Sequence, residues 1–218
     1  MSSFFEYVGQ CMPQLMMGLS LTLQMTIFSL ILAMIVGMIS CLFSISAIKP
    51  LNWISGIYLS IIRGTPLMVQ AMFLYFGVAM AFEIRVSPFR AAILVLCLNA
   101  GAYLSEIFRS GIAAVNKGQM EAARSLGLPY SVAMRRIILP QAIRIVIPSV
   151  LNQFIITLKD TSILSAIGCM ELMRQGQLIV ARNYESFKTY AIVAVMYYVV
   201  VVVLTKIFQI VEGRLSNK

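Results

Sequence analysis

Long apolar runs separated by short clusters of charge divide this chain into five parts. Residues 7–48 contain no Asp, Glu, Lys or Arg, and a bilayer is crossed by only about 20 residues of helix. The pattern predicts membrane helices at about residues 16–46, 51–81, 88–110, 141–160 and 186–212. It favours an all-α integral membrane protein. We find no internal repeat or linker, so residues 1–218 are expected to form one domain.

Local signals mark several element boundaries. Gly64 and Pro66 predict a break inside the second run, because proline removes a backbone donor and clashes with the preceding turn. Ser87 suits the N-cap of the third helix and Pro88 its first residue. An irregular stretch is expected at residues 160–168. A short amphipathic helix outside the core is expected at 169–183.

Basic residues are concentrated in one connection, residues 109–144, which contains six basic residues and one acidic residue, Glu121. Short loops rich in Lys and Arg remain on the cytoplasmic side. Five spans then predict an N-terminus outside and a C-terminus inside. The inside end contains three basic residues, Lys206, Arg214 and Lys218. This distribution explains the net charge of +9 without a nucleic-acid partner.

Composition narrows the chemistry further. The chain is 60% hydrophobic and 11% charged, against roughly 25% charged residues in soluble domains. The first run is too long for a signal peptide and is expected to remain in the mature protein. Histidine is absent and the four cysteines are scattered, so we expect no metal site and read the cysteines as packing residues.

The segment at about residues 111–140, called the charged segment below, contains several residues that typically begin or end a helix. Gly127 suits the left-handed residue that ends a helix, and Pro129 suits the first turn of the next. Pro140 would then begin the following span. These signals predict two short helices at a sharp angle.

The same segment contains a motif of E-A-A, three residues, G, nine residues, and I-x-L-P. Its seven positions are Glu121, Ala122, Ala123, Gly127, Ile137, Leu139 and Pro140. This motif resembles the signature of the integral-membrane permeases of ATP-binding-cassette (ABC) importers. The stretches RGTPLMVQ and LPQAIRIVIPSVLNQFI resemble the subgroup for histidine, arginine, glutamine and cystine. The resemblance covers about residues 15–212.

The resemblance implies a type I importer permease fold, whose cytoplasmic coupling helices dock on a separate ATPase subunit. Arg124 would share a helix face with Glu121 at that surface. A second permease copy, identical or related, and an extracytoplasmic substrate-binding protein are also implied. The chain lacks the phosphate-binding G-x-x-x-x-G-K-[ST] motif, so ATP is expected on the partner. The implied location is the bacterial cytoplasmic membrane.

Polar residues at bilayer depth are candidates for a substrate site, because burying a charge there costs about 2.5–3.5 kcal/mol. Asn99, Tyr103 and Glu106 share one helix face, and Gln153 recurs seven residues before Asp160. The candidates are Arg63, Thr65, Gln70, Asn99, Tyr103, Glu106, Asn152, Lys159, Asp160, Thr161 and Ser162.

An amino acid presents an ammonium and a carboxylate on one carbon. Asp160 could accept from the ammonium, and Arg63 or Lys159 could hold the carboxylate. Alternatively, Lys159 and Asp160 merely end a helix, and Arg63 extends to an interface. Two other functions remain open: a transporter or channel driven by an ion gradient, and an assembly protein without transport. An enzyme is disfavoured, because no nucleophile–base pair is apparent.

Overall fold

A computed structural model describes the backbone of residues 4–216 and the side chains of residues 4–213. Lys218 and the side chain of Arg214 therefore lie outside the described residues. The helices are α1 (Phe4–Ser44), α2 (Lys49–Gly64), α3 (Leu67–Ala81), α4 (Pro88–Ala114), α5 (Lys117–Ser125), α6 (Tyr130–Ala133), α7 (Leu139–Asp160), α8 (Leu172–Asn183) and α9 (Ser186–Ser216). No strand occurs within this part of the chain. The predicted all-α class is confirmed.

Four helical runs in the described residues are long and apolar enough to cross a membrane: α1, α4, Tyr130–Ile167 and α9. α2 and α3 pass the same test only together, as a pair bent by 107°. Four of the predicted spans are therefore confirmed, and the predicted second run corresponds to this bent pair. α1 is already helical at Phe4, twelve residues before the predicted start near residue 16.

The bend between α2 and α3 is caused by proline rather than glycine. Thr65 has extended backbone angles of φ −122° and ψ 144°, as expected for a residue whose helical conformation clashes with a following proline. Gly64 does not have a left-handed φ, and a Cβ at this position would meet no atom within 4 Å. Pro66 therefore accounts for the predicted break, and Gly64 is not required for it.

α1 and α4 pack closely against each other in the core. A Cβ on Gly37 would lie 2.9 Å from the Gly101 carbonyl oxygen and 2.9 Å from the Leu104 Cβ. Small residues at such positions allow membrane helices to approach closely. Four free cysteines, Cys11, Cys41, Cys97 and Cys169, are buried, which confirms their packing role. α1 and α4 therefore form the frame on which the other helices pack.

The charged segment forms one separate helix, not two. α5 ends as predicted at Gly127, whose φ is +81°, and the Leu128 N–H donates to the Ala123 carbonyl at 3.1 Å. The second predicted helix is wrong as a separate element, since α6 continues through a π-helical turn at Met134–Ile138 into α7. Pro140 lies at the start of α7, directly after this turn. The turn shifts the hydrogen-bond register, so the missing proline N–H does not interrupt the helix.

The segment after α7 is more ordered and more buried than predicted. Thr161–Ile167 form a 3₁₀ helix that ends at Gly168, where φ is +82°. α8 is helical as predicted, but its position outside the core is wrong: Leu172 and Ile179 are buried against α1 and α9. The reason is its amphipathic pattern, which gives α8 an apolar face to pack against neighbouring helices.

Candidate functional site

A cavity of about 360 Å³ lies where the α2–α3 break meets α4 and α7. Its lining combines polar and apolar residues: Thr65, Pro66, Leu67, Asn99, Tyr103, Gln153, Ile156 and Asp160. Sites for small ligands are commonly about 300–1,000 Å³, with a few polar groups that fix orientation. Size and lining both suit a small polar molecule.

The cavity lies near the middle of the bundle. Asn99 is about 17 Å along α4 from its first residue and about 23 Å from its last, at 1.5 Å per residue. The non-helical backbone at Thr65 and Pro66 is at the same level, since both line the cavity with Asn99. Irregular backbone at membrane depth is tolerated where it lines a polar cavity. The break therefore contributes directly to the site.

Asp160 is the one ionisable carboxylate among the lining residues, and no lysine or arginine lines the cavity. It lies where α7 continues into the 3₁₀ helix. Its carboxylate favours a positively charged group. Neutral donors line the cavity with it on Asn99, Tyr103 and Gln153, whereas the Thr65 hydroxyl already donates to the Ile61 carbonyl at 2.8 Å.

Arg63 lies beside the cavity and interacts with other protein groups. Its guanidinium is 5.8 Å from the centre of the Tyr103 ring, and its Nη1 is 3.7 Å from Glu106 Oε2. Glu106 also forms an ion pair with Arg109, one turn further along α4. Arg63 and Glu106 therefore form a charged network next to Tyr103, outside the lining.

The remaining candidates lie on other sides of their helices. Asn152 and Lys159 are exposed, since they are one position, or about 100°, around α7 from Gln153 and Asp160. Ser162 donates to the Lys159 carbonyl at 2.8 Å. Thr161 is fully buried and donates to the Leu158 carbonyl at 2.6 Å. These four residues do not line the cavity.

Of the eleven candidates, four line the cavity: Thr65, Asn99, Tyr103 and Asp160. Gln70 does not line the cavity, but it forms hydrogen bonds with Thr65 and Asn99, which do. Gln153 was not among the candidates, although its seven-residue spacing from Asp160 could have identified it. The apolar wall residue Ile156 has no comparable sequence signal. Contact with a substrate remains a prediction for every residue of the cavity.

The motif residues of the charged segment have two kinds of environment. Ala123 is buried and Ile137 is partly buried, in the packing of α5 against the π-helical turn. The exposed members are Glu121, Ala122, Gly127, Leu139 and Pro140. Arg124 is exposed and donates from Nη1 to the Leu128 carbonyl at 3.2 Å, which stabilises the end of α5. The buried residues shape the segment, and the exposed residues form its surface.

Two large apolar side chains on this surface were not identified from the sequence. Leu126 is 83% exposed and Tyr130 is 59% exposed. They lie on either side of the Gly127 turn, in the same segment as the exposed Glu121. Large apolar side chains exposed on a charged segment are candidates for contact with a partner.

Glu171, in the connection before α8, is fully buried. Its carboxylate is the N-cap of α8 and accepts the Arg174 N–H at 2.6 Å and the Met173 N–H at 2.8 Å. The Tyr197 hydroxyl of α9 also donates to it, at 2.9 Å. Burial raises the pKa of the Glu171 carboxyl to about 7, although these three hydrogen bonds oppose the rise. Glu171 therefore joins α8 to α9 through a group that titrates near neutral pH.

We expect Glu171 to make folding stability depend on pH. Between its usual pKa of 4.5 and about 7, the unfolded chain releases the proton while the folded chain retains it. Raising the pH through this window therefore destabilises the fold, by about 3 kcal/mol when complete. Glu171→Gln lacks this titration, so the melting temperature of the native protein should exceed that of the variant by more at pH 5 than at pH 8. Exposed Glu121→Gln is the control. A difference between native protein and Glu171→Gln that is equal at both pH values would contradict the expectation.

Comparison with known proteins agrees with this architecture. Residues 29–217 match the family model described as the binding-protein-dependent transport system inner membrane component. The arginine transport system permease protein ArtQ of Bacillus subtilis (strain 168) is 38% identical over 206 residues, covering 94% of this chain and 94% of that protein. The glutamine transport system permease protein GlnP of Escherichia coli (strain K12) is 42% identical over 166 residues, covering 76% of each.

Solved structures share the fold. An amino acid ABC transporter crystallised with histidines has a TM-score of 0.93 and 38% identity, covering 98% of this chain and 99% of that one. The MetNI methionine ABC transporter in an inward-facing conformation has a TM-score of 0.79 at 19% identity, covering 94% and 97%. The predicted type I importer permease fold is confirmed. This chain belongs to the family of binding-protein-dependent transport system inner membrane components, and it is a multi-pass inner-membrane protein.

Proposed function

We propose that this chain is the permease subunit of an ATP-driven importer for a polar amino acid. The observation that carries the proposal is the cavity at mid-depth, where Asp160 and the neutral donors Asn99, Tyr103 and Gln153 converge on the α2–α3 break. The named relatives support the substrate class, since they are permeases for arginine, glutamine and L-cystine.

The cavity groups suit the two charges of a free amino acid. Asp160 accepts from the α-ammonium, as the sequence predicts. The carboxylate is held by neutral donors such as Asn99 and Gln153, which line the same cavity, rather than by Lys159, which is exposed away from it. Arg63 contributes a positive potential from behind Tyr103 while paired with Glu106.

The basic charged segment supports the proposed orientation. It lies in the cytoplasm, which places the N-terminus outside and the C-terminus inside. The ATPase subunits dock on α5 and the Gly127 turn, through the exposed Glu121, Leu126 and Tyr130. ATP binds to those subunits. Closure of the ATPase dimer then moves the membrane helices between inward- and outward-facing states.

The complete transporter contains further chains. A second permease, identical to this one or related, encloses the pathway together with this chain. A substrate-binding protein delivers the amino acid from the outer side. Large apolar side chains exposed on α2 and α9, such as Trp53, Ile57 and Val195, suit contact with lipid or with the second permease.

Uptake by the assembled complex in proteoliposomes tests the proposal. Labelled glutamine, arginine, histidine and cystine are supplied with the binding protein, and ATP is supplied on the side of the ATPase. We expect saturable uptake of at least one of them that stops when a non-hydrolysable analogue replaces ATP. Uptake driven by an ion gradient without the ATPase would overturn the proposal in favour of a secondary transporter, and no uptake of any of them would overturn the substrate class.

A further inference from the structure

We infer that Gln70 is a positioning residue, which holds the α2–α3 break against α4 and so shapes the cavity without contacting the substrate. Gln70 lies on α3 and is only partly exposed. It does not line the cavity, whereas its hydrogen-bond partners Thr65 and Asn99 do. The assignment therefore differs from a direct binding role.

Gln70 replaces a hydrogen bond that the backbone cannot make. In a continuous helix the Ile62 carbonyl would accept from the N–H of residue 66, which is a proline and has none. The Gln70 Nε2 donates to this carbonyl at 2.7 Å. The neighbouring Ile61 carbonyl is satisfied by the Thr65 hydroxyl at 2.8 Å. The side chain thus caps the end of α2 that Pro66 leaves open.

The same amide group connects the break to α4. Its Nε2 also lies 3.0 Å from the Thr65 carbonyl and 3.0 Å from the Thr65 hydroxyl. Its Oε1 accepts from the Asn99 Nδ2 at 3.3 Å. A side-chain amide has two N–H donors, and three acceptors of the protein already surround them. No donor of Gln70 is left for a substrate.

The two helices that meet at the break, α2 and α3, are held against the rest of the protein in different ways. This difference makes the hydrogen bonds of Gln70 necessary. α3 is anchored by apolar packing, with Ala71 buried in the core beside Leu67 and Met72. Of the sixteen residues of α2, only Ser55 is buried. α2 is held mainly by polar contacts such as the Tyr58 hydroxyl bond to the Leu98 carbonyl at 2.6 Å. From α3, Gln70 reaches both α2 and α4.

Loss of this contact should release the angle between α2 and α3. In a straight helix the Cα atoms of Ile57 and Met80 would be about 35 Å apart, and the 107° bend reduces this to about 20 Å. Both side chains are well exposed, at 61% and 84%, and the native cysteines are buried. Spin labels at Ile57→Cys and Met80→Cys therefore report the bend by double electron–electron resonance.

The experiment uses the assembled transporter in liposomes, with labelled chains diluted by unlabelled ones and no substrate. We expect one narrow distance with Gln70, clearly shorter than in a straight helix, and a broad or longer distribution in Gln70→Glu, whose carboxylate cannot donate to three acceptors. Gln70→Leu removes the donors without adding charge and should also broaden it. Gln119→Glu, an exposed glutamine on α5, is the matched control and should leave the distance unchanged.

Transport is measured on the same variants. The uptake measurement rests on the proposed function, whereas the distance measurement does not. Gln70→Leu should lose uptake at least 10-fold together with the broadened distance. A narrow native distance combined with lost uptake would make Gln70 a substrate contact and overturn the inference. A narrow distance with normal uptake would overturn it as well. A changed distance in a protein that carries no amino acid would support the positioning role while the substrate proposal failed.

Discussion

Asp160→Asn is expected to reduce kcat/KM for amino-acid uptake by about 30-fold or more, since removing one partner of a buried charge pair costs 2–5 kcal/mol. Asp160 is the one ionisable carboxylate among the residues that line the cavity. Asparagine has the same shape, but its neutral amide cannot balance an ammonium. The measurement is initial uptake against substrate concentration in proteoliposomes that contain the complete transporter.

Lys159→Gln is the matched control for this prediction. Lys159 is adjacent in sequence but exposed on another side of α7. Uptake by the Lys159→Gln variant should therefore stay within about twofold of uptake by the native protein, as expected for the loss of a surface contact. ATP hydrolysis without substrate should be unaffected by either substitution. Native uptake by Asp160→Asn would place the ammonium site away from this cavity, and a large loss in Lys159→Gln would restore that lysine as a site residue.

Glu121→Lys is expected to reduce ATP-dependent uptake at least 10-fold by weakening the docking of the ATPase. Glu121 is exposed on α5, so reversing its charge does not disturb the packing of this chain. At an interface that excludes water, a charge placed against a like charge costs several kcal/mol. The measurements are uptake and the amount of ATPase subunit that co-purifies with the permease.

A matched charge on another face of the same helix separates docking from general charge effects. Gln119→Lys adds a lysine two positions away on α5, about 200° around the helix. It should retain both uptake and co-purification, and the melting temperatures of both variants should equal the native value. Unchanged uptake and co-purification in Glu121→Lys would contradict docking through this surface.

Several features were predictable because they depend on residues close in sequence. A proline changes the conformation of the residue before it, so the break at Thr65 follows from Pro66. The left-handed end of α5 requires Gly127 for a similar local reason. Ser87 caps α4 by accepting the Arg90 N–H three residues later, at 3.4 Å. One local inference was wrong: the helix that follows Pro129 is not a separate short element, because α6 continues through the π-helical turn into α7.

The cavity was only partly predictable. Helical spacing places Asn99 and Tyr103 on one face of α4, and both line the cavity. Spacing of seven also groups Asn152 with Lys159, yet these residues face away. Periodicity identifies residues that share a face, but it does not show which face meets the other helices.

The apolar runs, the position of the break, the family motif and the basic segment could be read from the sequence alone, because each depends on composition or on neighbours a few residues apart. Helix packing brings Thr65 and Asp160, almost one hundred positions apart, into the lining of one cavity. Packing also pairs Arg63 with Glu106 and buries Glu171 between α8 and α9. These contacts join side chains distant in sequence, so they exist only once the helices have packed.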